Sequence, residues 1–429
     1  MKILCSGDLH LGRRSSRLPD GLDSRAHSAA AAWTALVDLA VEQRVDLVAL
    51  SGDVVDKDAA YFEAFGALER GVAKLKAAGI PIAAVAGNHD FAVLPKLASS
   101  LGGGFNLLGR DGKWSGVPIT RDGKPALYVV GWSFPETSGG YVAESPVRSF
   151  PSFRAPEVPV LGMLHGDLDQ PASRYAPVGA GELRAAPVSF WLLGHLHGPK
   201  LHEHPGAATL LYPGSPQALD PGETGAHGAW MLELAPGRTP SVQHLPLSTV
   251  RYDAVEVDVT GAAHFDEMER RVAEGVRAHV QRVAEGGCGP LRHLSCRLRV
   301  TGRTPLHRQI DARLRDRLHE LAPEHGTVAA RVEKLEVATR PTADLAELSR
   351  GNDAPGILAG FVLALDARAL TEGHERLMGD LTARAMEVRR ARPYQPLADP
   401  PLAPEHLREL ARGQALLLID ELLAQKEAA

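Results

Sequence analysis

Short, continuous apolar runs separated by longer amphipathic stretches dominate the first 249 residues. The runs are KILCSGD at the N-terminus, then VDLVALSGD, then IPIAAVAGNHD. The stretches between them carry apolar residues at helical spacing, with Trp33, Leu36 and Val37 on one face of the first and Val72 and Leu75 on one face of the second. Continuous apolar strands that alternate with helices are typical of a parallel sheet covered on both faces. We therefore predict an α/β fold.

From Val117 onward the apolar segments become shorter and more closely spaced. They include KPALYVVGW, VPVLGMLHGD, VSFWLLGHLHG, ATLLYPGS and GAWMLEL. Short runs separated by turn residues favour hairpin-like pairing. This pattern predicts that the same sheet continues with mixed or antiparallel strands.

The composition changes after Thr249. Residues 250–341 follow a strand–helix–strand–helix–strand order, which predicts a small α/β domain. Residues 342–392 are predicted to be helical, and residues 393–404 form a stiff, proline-rich linker. Residues 405–429 form a last amphipathic helix with Leu407, Leu410, Leu417, Leu418 and Leu422. A lone terminal helix cannot cover that much apolar surface, so we expect it to dock on another chain or back on its own domain.

Composition and charge narrow the class of protein. The chain has 429 residues, 44% of them hydrophobic, and a net charge of −5, so any nucleic-acid contact must depend on a local site. The three cysteines Cys5, Cys288 and Cys296 give no disulfide framework, which fits a reducing cytoplasm. The N-terminus reads as a buried strand rather than a signal peptide, and no apolar run is long enough to span a membrane.

Polar side chains follow five of the apolar runs. They are Asp8 and His10, then Asp53, then Asn88 with His89 and Asp90, then His165, and finally His195 and His197. The carboxyl ends of strands in an open α/β sheet meet at one crevice, so these side chains should converge. Carboxylates, imidazoles and an amide in one crevice are the donors that a two-metal site requires.

The residue types suggest how such a site is built. Two divalent cations about 3.5–4 Å apart need a bridging anion, and Asp53 is the natural candidate. Asp8 and His10 lie two residues apart, so on an extended backbone they share a face and can hold one cation. His195 and His197 could serve one cation each, whereas Asn88 offers a neutral oxygen. Mixed histidine, amide and carboxylate ligands suit manganese, iron or zinc.

The ordered set DxH, GDxxD, GNHD, H and GHxH resembles the calcineurin-like metallophosphoesterase superfamily. The resemblance implies a four-layer α/β sandwich that hydrolyses phosphate esters with the help of two divalent cations. Asp8, His10, Asp53 and His197 would hold the first cation, and Asp53, Asn88, His165 and His195 the second. His89 would face the phosphate and stabilise or protonate the leaving oxygen. Asp90 would orient the loop or the imidazole, and Asp56 would support the ligands from behind.

Two further segments, GDLHLGRR and YPGSPQALDPGETGAHGAWML, resemble the SbcD-type and YhaO-type DNA repair exonucleases. In that branch a small α/β capping domain and a helical segment follow the phosphoesterase domain. The helical end docks on a coiled-coil ATPase of SbcC type, and two phosphoesterase domains commonly pair as a homodimer. The resemblance also implies manganese as the metal. The chain itself has no GxxxxGK[ST] motif, so ATP-driven motion would have to come from the partner.

Five arginines are candidates for contacts with DNA. Arg13 and Arg14 follow the first ligand pair, and Arg297, Arg299 and Arg303 lie on a basic strand of the capping domain. Solvated side chains and an ordinary exposed strand face are the competing interpretations. We expect a manganese-dependent DNA exonuclease, with endonuclease activity as an addition. The alternatives are a small-molecule phosphodiesterase or phosphatase of the same superfamily, and a catalytically silent DNA-end tether.

Overall fold

The computed structural model describes residues 1–13, 15, 18, 22–56, 61–151, 157–342, 344–390 and 404–428. Arg14 and most of the predicted proline-rich linker at 393–404 therefore lie outside the described residues. The strands of the first half are β1 Lys2–Ser6, β2 Leu47–Leu50, β3 Ile82–Ala84, β4 Phe105–Leu107, β5 Ser115–Arg121, β6 Lys124–Trp132, β7 Val160–His165, β8 Phe190–Gly194, β9 Lys200–His202, β10 Thr209–Tyr212, β11 Gly228–Glu233 and β12 Ser241–Pro246. The helices between them are α1 Ala29–Glu42, α2 Tyr61–Ala77, α3 Leu94–Leu101 and α4 Ala180–Ala185.

The first sheet has the order β12-β11-β1-β2-β3-β4. Strands β1 to β4 pair in parallel, as the apolar runs predict. The late strand β11 joins the other edge of β1 antiparallel, and β12 follows it antiparallel. Residues from the two ends of this half of the chain therefore lie side by side.

A second sheet has the order β5-β6-β7-β8-β10-β9. The prediction that the first sheet continues after Val117 is right for β11 and β12, which join it antiparallel, and wrong for β5 to β10, which form a sheet of their own. Its four central strands, β6, β7, β8 and β10, are parallel, and only the edge strands β5 and β9 pair antiparallel. Apolar runs look alike whichever sheet they join, so the pattern alone could not separate the two sheets.

Three apolar layers hold these two sheets and their helices together. One lies between the sheets and includes Ile3, Cys5, Leu161 and Met163, so Cys5 is a core residue as expected. A second packs helices α1, α2 and α3 on the outer face of the first sheet. The third covers the outer face of the second sheet with residues that include Leu183 of α4. This arrangement is the four-layer α/β sandwich.

The remaining elements follow Thr249. They are β13 Val250–Asp258, α5 Phe265–Glu285, β14 His293–Arg303, α6 Ile310–Arg315, β15 Glu324–His325, β16 Val328–Arg340, α7 Leu345–Leu348, α8 Ala354–Asp366, α9 Glu372–Arg390 and α10 Pro404–Ala428. The third sheet has the order β13-β14-β16-β15. Helix α5 buries Met268, Val272 and Val276, as its periodicity predicts.

The chain divides into two compact units. The first comprises residues 1–255, 273–298 and 317–335, and the second comprises residues 256–272, 299–316 and 336–429. The boundaries predicted at 249 and 341 remain predictions.

Within the second unit, helix α10 packs against α8. Its buried face carries Ala411, Ala415 and Ile419, which pack with Ala359, Phe361, Val362 and Leu365 of α8. Of the leucines that the sequence assigned to the apolar face, Leu407 is buried as predicted, whereas those at 410, 417 and 418 are exposed. Small side chains allow two helices to approach closely, so the alanine-rich face is the one that packs. The expectation that α10 docks back on its own chain is met through this face.

Candidate metal centre

Loops at the carboxyl ends of both sheets carry the predicted site residues. Asp8 and His10 follow β1, Asp53 follows β2, and Asn88 with His89 follows β3. His165 is the last residue of β7, and His195 and His197 follow β8. The site thus forms where two facing sheets end together, rather than at the end of one open sheet.

Several of these residues have an unusual backbone. Asp8, His10 and Asp53 have φ near +50°, and His195 has φ +108°. The expectation that Asp8 and His10 share a face of an extended strand is therefore wrong. They lie in the loop beyond β1, and the left-handed backbone turns both side chains into the site. Non-glycine residues in this region cost free energy, and such residues concentrate at functional sites.

Two glycines allow the loops to pack tightly around the site. Gly52 has φ +101°, and a Cβ there would lie 2.5 Å from Nδ1 of His165. A Cβ on Gly87 would lie 2.2 Å from Oδ1 of Asp53. Neither position has room for a side chain, so the glycine that precedes each ligand is required for space and, at Gly52, also for its backbone conformation.

The first group of donors consists of Asp8, His10 and His197, whose ligand atoms lie within 4.8 Å of one another. Nε2 of His10 lies 3.1 Å from Nε2 of His197 and 3.9 Å from Oδ2 of Asp53. The Asp8 carboxylate also accepts hydrogen bonds from the backbone N–H of His195 at 3.1 and 3.2 Å, which joins the two loops. Two imidazole nitrogens that face each other beside two carboxylates suit a shared cation.

The second group surrounds the side-chain oxygen of Asn88. Nε2 of His165 lies 2.9 Å from Oδ1 of Asn88, and Nδ1 of His195 lies 3.1 Å from the same atom. Oδ2 of Asp53 lies 3.3 Å from Nε2 of His165. Asp53 therefore contacts both groups, as a bridging ligand must. The donor set and its two-lobed arrangement fit a pair of divalent cations.

Asp56 links the first group to His89. Its Oδ1 lies 3.2 Å from Nδ1 of His89 and 3.4 Å from Nδ1 of His10. The side chain of His89 is 41% exposed, whereas those of His10 and His165 are buried. His89 is thus held at the open side of the site by a carboxylate, in a position to meet a ligand.

Asp90 has a different environment from that of His89. Its carboxylate accepts hydrogen bonds from the backbone N–H groups of Gly87 and Val54, both at 2.7 Å. These groups belong to the loops that carry Asn88 and Asp53. Of the two roles predicted for Asp90, orientation of the loop or of the imidazole, these contacts favour the loop.

The sequence did not identify Glu223 as part of this site. Its Oε1 lies 2.7 Å from Nδ1 of His197, and its Oε2 accepts a hydrogen bond from the backbone N–H of Leu219. Asp167 likewise lies beside a proposed ligand, with its Oδ1 3.5 Å from Nε2 of His195. The only sequence signal for Glu223 was its place in the segment YPGSPQALDPGE.

Carboxylates and imidazoles of the centre stabilise one another's charged forms. Burial would raise the pKa of Asp53, but His165, His10 and His89 together hold it well below its usual range. Burial likewise opposes protonation of His165, yet Asp53 raises the pKa of that imidazole to about 9. Hydrogen bonds with His10 and His89 keep the pKa of Asp56 low, and the bond to Asp56 raises that of His89. Ionised carboxylates at neutral pH make the centre attractive to cations.

The arginines predicted to meet DNA are placed differently from one another. Arg13 is half-buried beside the first ligand loop, where its backbone N–H donates a hydrogen bond to the carbonyl of His10. Arg297 is exposed. Arg299 is paired with Glu256 and Glu336 at 3.5 and 3.2 Å, and Arg303 donates to the buried Asp420 at 2.7 and 3.0 Å. Arg303 is therefore already occupied by an internal partner.

Two protein families match this chain. Residues 1–199 match the calcineurin-like phosphoesterases, and residues 252–340 match the middle domain of the metallophosphoesterase YhaO. The first match contains all the proposed ligands, and the second begins just after the phosphoesterase strands end.

The chain is also similar, at low sequence identity, to several individual proteins. The chain is 26% identical to the uncharacterized metallophosphoesterase YhaO of Bacillus subtilis over 64% of this chain and 67% of that one. It is 25% identical to the DNA double-strand break repair protein Mre11 of Aeropyrum pernix, over 68% and 72% respectively. The crystal structure of the calcineurin-like phosphoesterase YfkN from Bacillus subtilis aligns with 66% of this chain and 98% of its own, at 13% identity and a TM-score of 0.37. From its ligand loops and these matches, the chain carries a calcineurin-like phosphoesterase domain over residues 1–199, followed by a segment over residues 252–340 that is similar to the middle domain of YhaO.

Proposed function

We propose that this metallophosphoesterase is a manganese-dependent DNA exonuclease. The observation that carries the proposal is the meeting of seven donor side chains from two sheets beside the exposed imidazole of His89. That arrangement combines a place for two cations with a proton donor on the open side, which hydrolysis of a phosphodiester requires.

The donor groups assign the ligands. Asp8, His10 and His197 would hold one cation, and Asn88, His165 and His195 the other, with Asp53 between them. When bound, the two cations would supply Lewis-acid stabilisation of the charge that develops on the phosphate. Manganese suits this mixture of nitrogen and oxygen donors, as do iron and zinc.

His89 would protonate the leaving oxygen. Its imidazole is oriented by the contact between its Nδ1 and Asp56, which leaves Nε2 free to point toward a substrate. Asp56 would act through His89 and His10 as a positioning residue. Asp90 would keep the loops of Asp53 and Asn88 in register through its bonds to Val54 and Gly87.

DNA is supported as the substrate by similarity and by domain content. The relative from Aeropyrum pernix is named as a DNA double-strand break repair protein, and the similarity extends over 68% of this chain. A middle domain after the phosphoesterase region is not needed to hydrolyse a small ester, but it could hold a long polymer. Of the candidate arginines that the structure describes, Arg13 and Arg297 are proposed to contact the phosphates of DNA.

An SbcC-like coiled-coil ATPase is the proposed partner. In the second unit, α9 exposes Leu377, Leu381 and Val388, and α10 exposes Leu410, Leu417 and Leu418. Apolar rows at helical spacing are suited to a partner helix. Pairing of two copies through the phosphoesterase region is part of the same proposal. Among the described residues no helix is both long and apolar enough to cross a membrane.

The test is an assay of end-labelled DNA with manganese, comparing the wild type with His89→Ala and Asp53→Ala. We expect His89→Ala to retain both metals by elemental analysis while turnover falls about 10²- to 10⁴-fold. Asp53→Ala, like Asn88→Ala, should lose metal as well as activity. A wild type that hydrolyses a nucleotide ester but no DNA would favour the small-molecule phosphodiesterase. If His89→Ala retains the full function of the wild type, the catalytically silent DNA-end tether would be favoured.

A further inference from the structure

A ladder of rings extends outward from the metal centre. The ring of Tyr175 lies 4.8 Å from that of His195 at an interplanar angle of 33°, and the ring of Tyr141 lies 5.7 Å from that of Tyr175 at 38°. The guanidinium of Arg174 lies over the Tyr141 ring, 5.0 Å from its centroid. We call Tyr175, Tyr141 and Arg174 the aromatic ladder.

The backbone holds the ladder rigidly against the ligand loops. The N–H of Val142 donates to the carbonyl of Arg174 at 2.7 Å, and the N–H of Ala176 donates to that of Val142 at 2.8 Å. Gly140, at φ +85°, lets its loop approach the Asn88 loop, since a Cβ there would lie 2.7 Å from the carbonyl oxygen of Asn88. Backbone contacts therefore fix the position of Tyr141 relative to the metal centre, and its ring is not needed for that.

The outer part of the ladder is open to solvent. The side chain of Tyr141 is 51% exposed, whereas Trp132, Trp191 and Tyr212 of the same half of the molecule are buried. Leu196, between the ligands His195 and His197, is 37% exposed. An aromatic ring that only stabilises a loop contributes most free energy when it is buried. Tyr175 already stabilises this loop, because it packs against the core on the outer face of the second sheet.

We propose that Tyr141, with Arg174 at its face, stacks an unpaired nucleobase of the strand whose phosphodiester lies at the metal centre. The inference rests on the proposed function, and it identifies the substrate form as locally single-stranded. Base stacking on an aromatic side chain accepts any sequence, because every base has a flat face, and an arginine can add a cation–π contact. A base inside a duplex is covered on both faces by its stacked neighbours, whereas a base of a melted or frayed end exposes its faces, so such an end would bind best.

The kinetic test compares two oligonucleotides in the presence of manganese. One is an ordinary single strand, and the other lacks the bases of the two terminal nucleotides at each end. Tyr141→Ala should raise KM about tenfold on the ordinary strand and change kcat little. The same variant should leave KM on the abasic strand unchanged, and Tyr141→Phe, which keeps the ring, should behave like the wild type on both.

A binding test separates this subsite from the proposed activity. In the His89→Ala background, which keeps the strand intact, a terminal 2-aminopurine should lose fluorescence on binding, and adding Tyr141→Ala should restore most of it. An equal rise in KM on both strands, or fluorescence indifferent to Tyr141, would overturn the stacking role. A wild type that cleaves neither strand would refute the nuclease proposal, while the fluorescence result would still decide the subsite.

Discussion

At the scale of single residues, the contact between Glu223 and His197 is the clearest addition to the predicted site. A carboxylate on the remote nitrogen of a metal-binding imidazole fixes the tautomer and the ring orientation. The distance of 2.7 Å between Oε1 of Glu223 and Nδ1 of His197 fits that role. Glu223→Gln should therefore weaken metal binding about 10- to 100-fold, because the amide holds the imidazole less firmly. Isothermal titration of the metal-free protein with manganese would measure the change.

The exposed Glu203 offers a matched control for that titration. Glu203→Gln removes the same charge without touching a proposed ligand, so its manganese affinity should equal that of the wild type. If the two variants lose affinity equally, general electrostatics rather than imidazole orientation would explain the effect.

Most of the proposed ligands could be found from sequence because each follows an apolar run. Parallel strands bring their carboxyl ends together, so a polar residue at each end is placed by the fold itself. Glu223 and the tyrosines of the ladder are placed by irregular loops instead. Glu223 lies 26 residues from His197, for example, and such a separation matches no helical or strand period in the sequence.

At the scale of elements, Arg303 and Asp420 join the end of β14 to α10 within the second unit. The Asp420 side chain is only 3% exposed, and Arg303 donates to both of its oxygens. Arg303→Ala would leave a buried carboxylate without its main partner, which costs about 3 kcal/mol in comparable cases. We expect a lower unfolding midpoint for the transition that reports on the helical segment, measured by urea titration with circular dichroism.

Arg299 supplies the comparison for this prediction. It pairs with Glu256 and Glu336, but all three side chains are more than half exposed, and such pairs contribute little. Arg299→Ala should leave the midpoint nearly unchanged. If both substitutions weaken DNA binding without affecting unfolding, the original interpretation of this strand as a path for DNA would gain support.

Element types were more predictable than their partners. The periodicity of α1 and α5 predicted which residues they bury, whereas α10 packs on α8 through its alanines and Ile419 and leaves Leu410, Leu417 and Leu418 exposed. An amphipathic pattern predicts the buried face of a helix from its large apolar side chains. Close packing of α10 on α8 requires small side chains instead, and the pattern cannot show this because α8 lies far away in sequence.

At the scale of the whole molecule, histidines outside the metal centre make stability depend on pH. Burial lowers the pKa of His27, His227 and His293, and that of His244 to about 4, with a smaller contribution from His227 in the case of His244. His227 is buried, and its Nδ1 lies 3.0 Å from Oγ of Ser215.

These histidines take up protons more readily in the unfolded chain than in the folded one. Their contribution to stability is therefore complete above about pH 6.5, the unfolded value, and is lost as the pH falls toward the folded pKa. These histidines should lower the melting temperature between pH 7 and pH 5, whereas Asp90, whose pKa is raised to about 7 by burial and by Asp53, should raise it over the same range. His244→Phe removes one of the histidine contributions, so the melting temperature of the variant should drop less, or rise more, than that of the wild type as the pH falls. An identical slope in the variant would contradict the prediction. Differential scanning calorimetry would provide both curves.

The four-layer architecture was expected from the resemblance of the motifs, and the first parallel strands were expected from the apolar runs. The separation into two sheets could not be read from the pattern. Within the first sheet, β11 pairs with β1 from more than 200 residues away, and no local signal encodes such a pairing.

The left-handed backbone of the ligand loops has a consequence for protein engineering. At Asp8, His10, Asp53 and His195 the chain keeps conformations that each cost about 1–3 kcal/mol. Cations would offset this cost only while they are bound. Selection for heat resistance alone would therefore favour replacing these residues, His195 first, since its φ of +108° lies farthest from any well-populated region. Thermostable descendants of this protein obtained without an activity screen would tend to be inert, so hydrolysis and stability must be selected together.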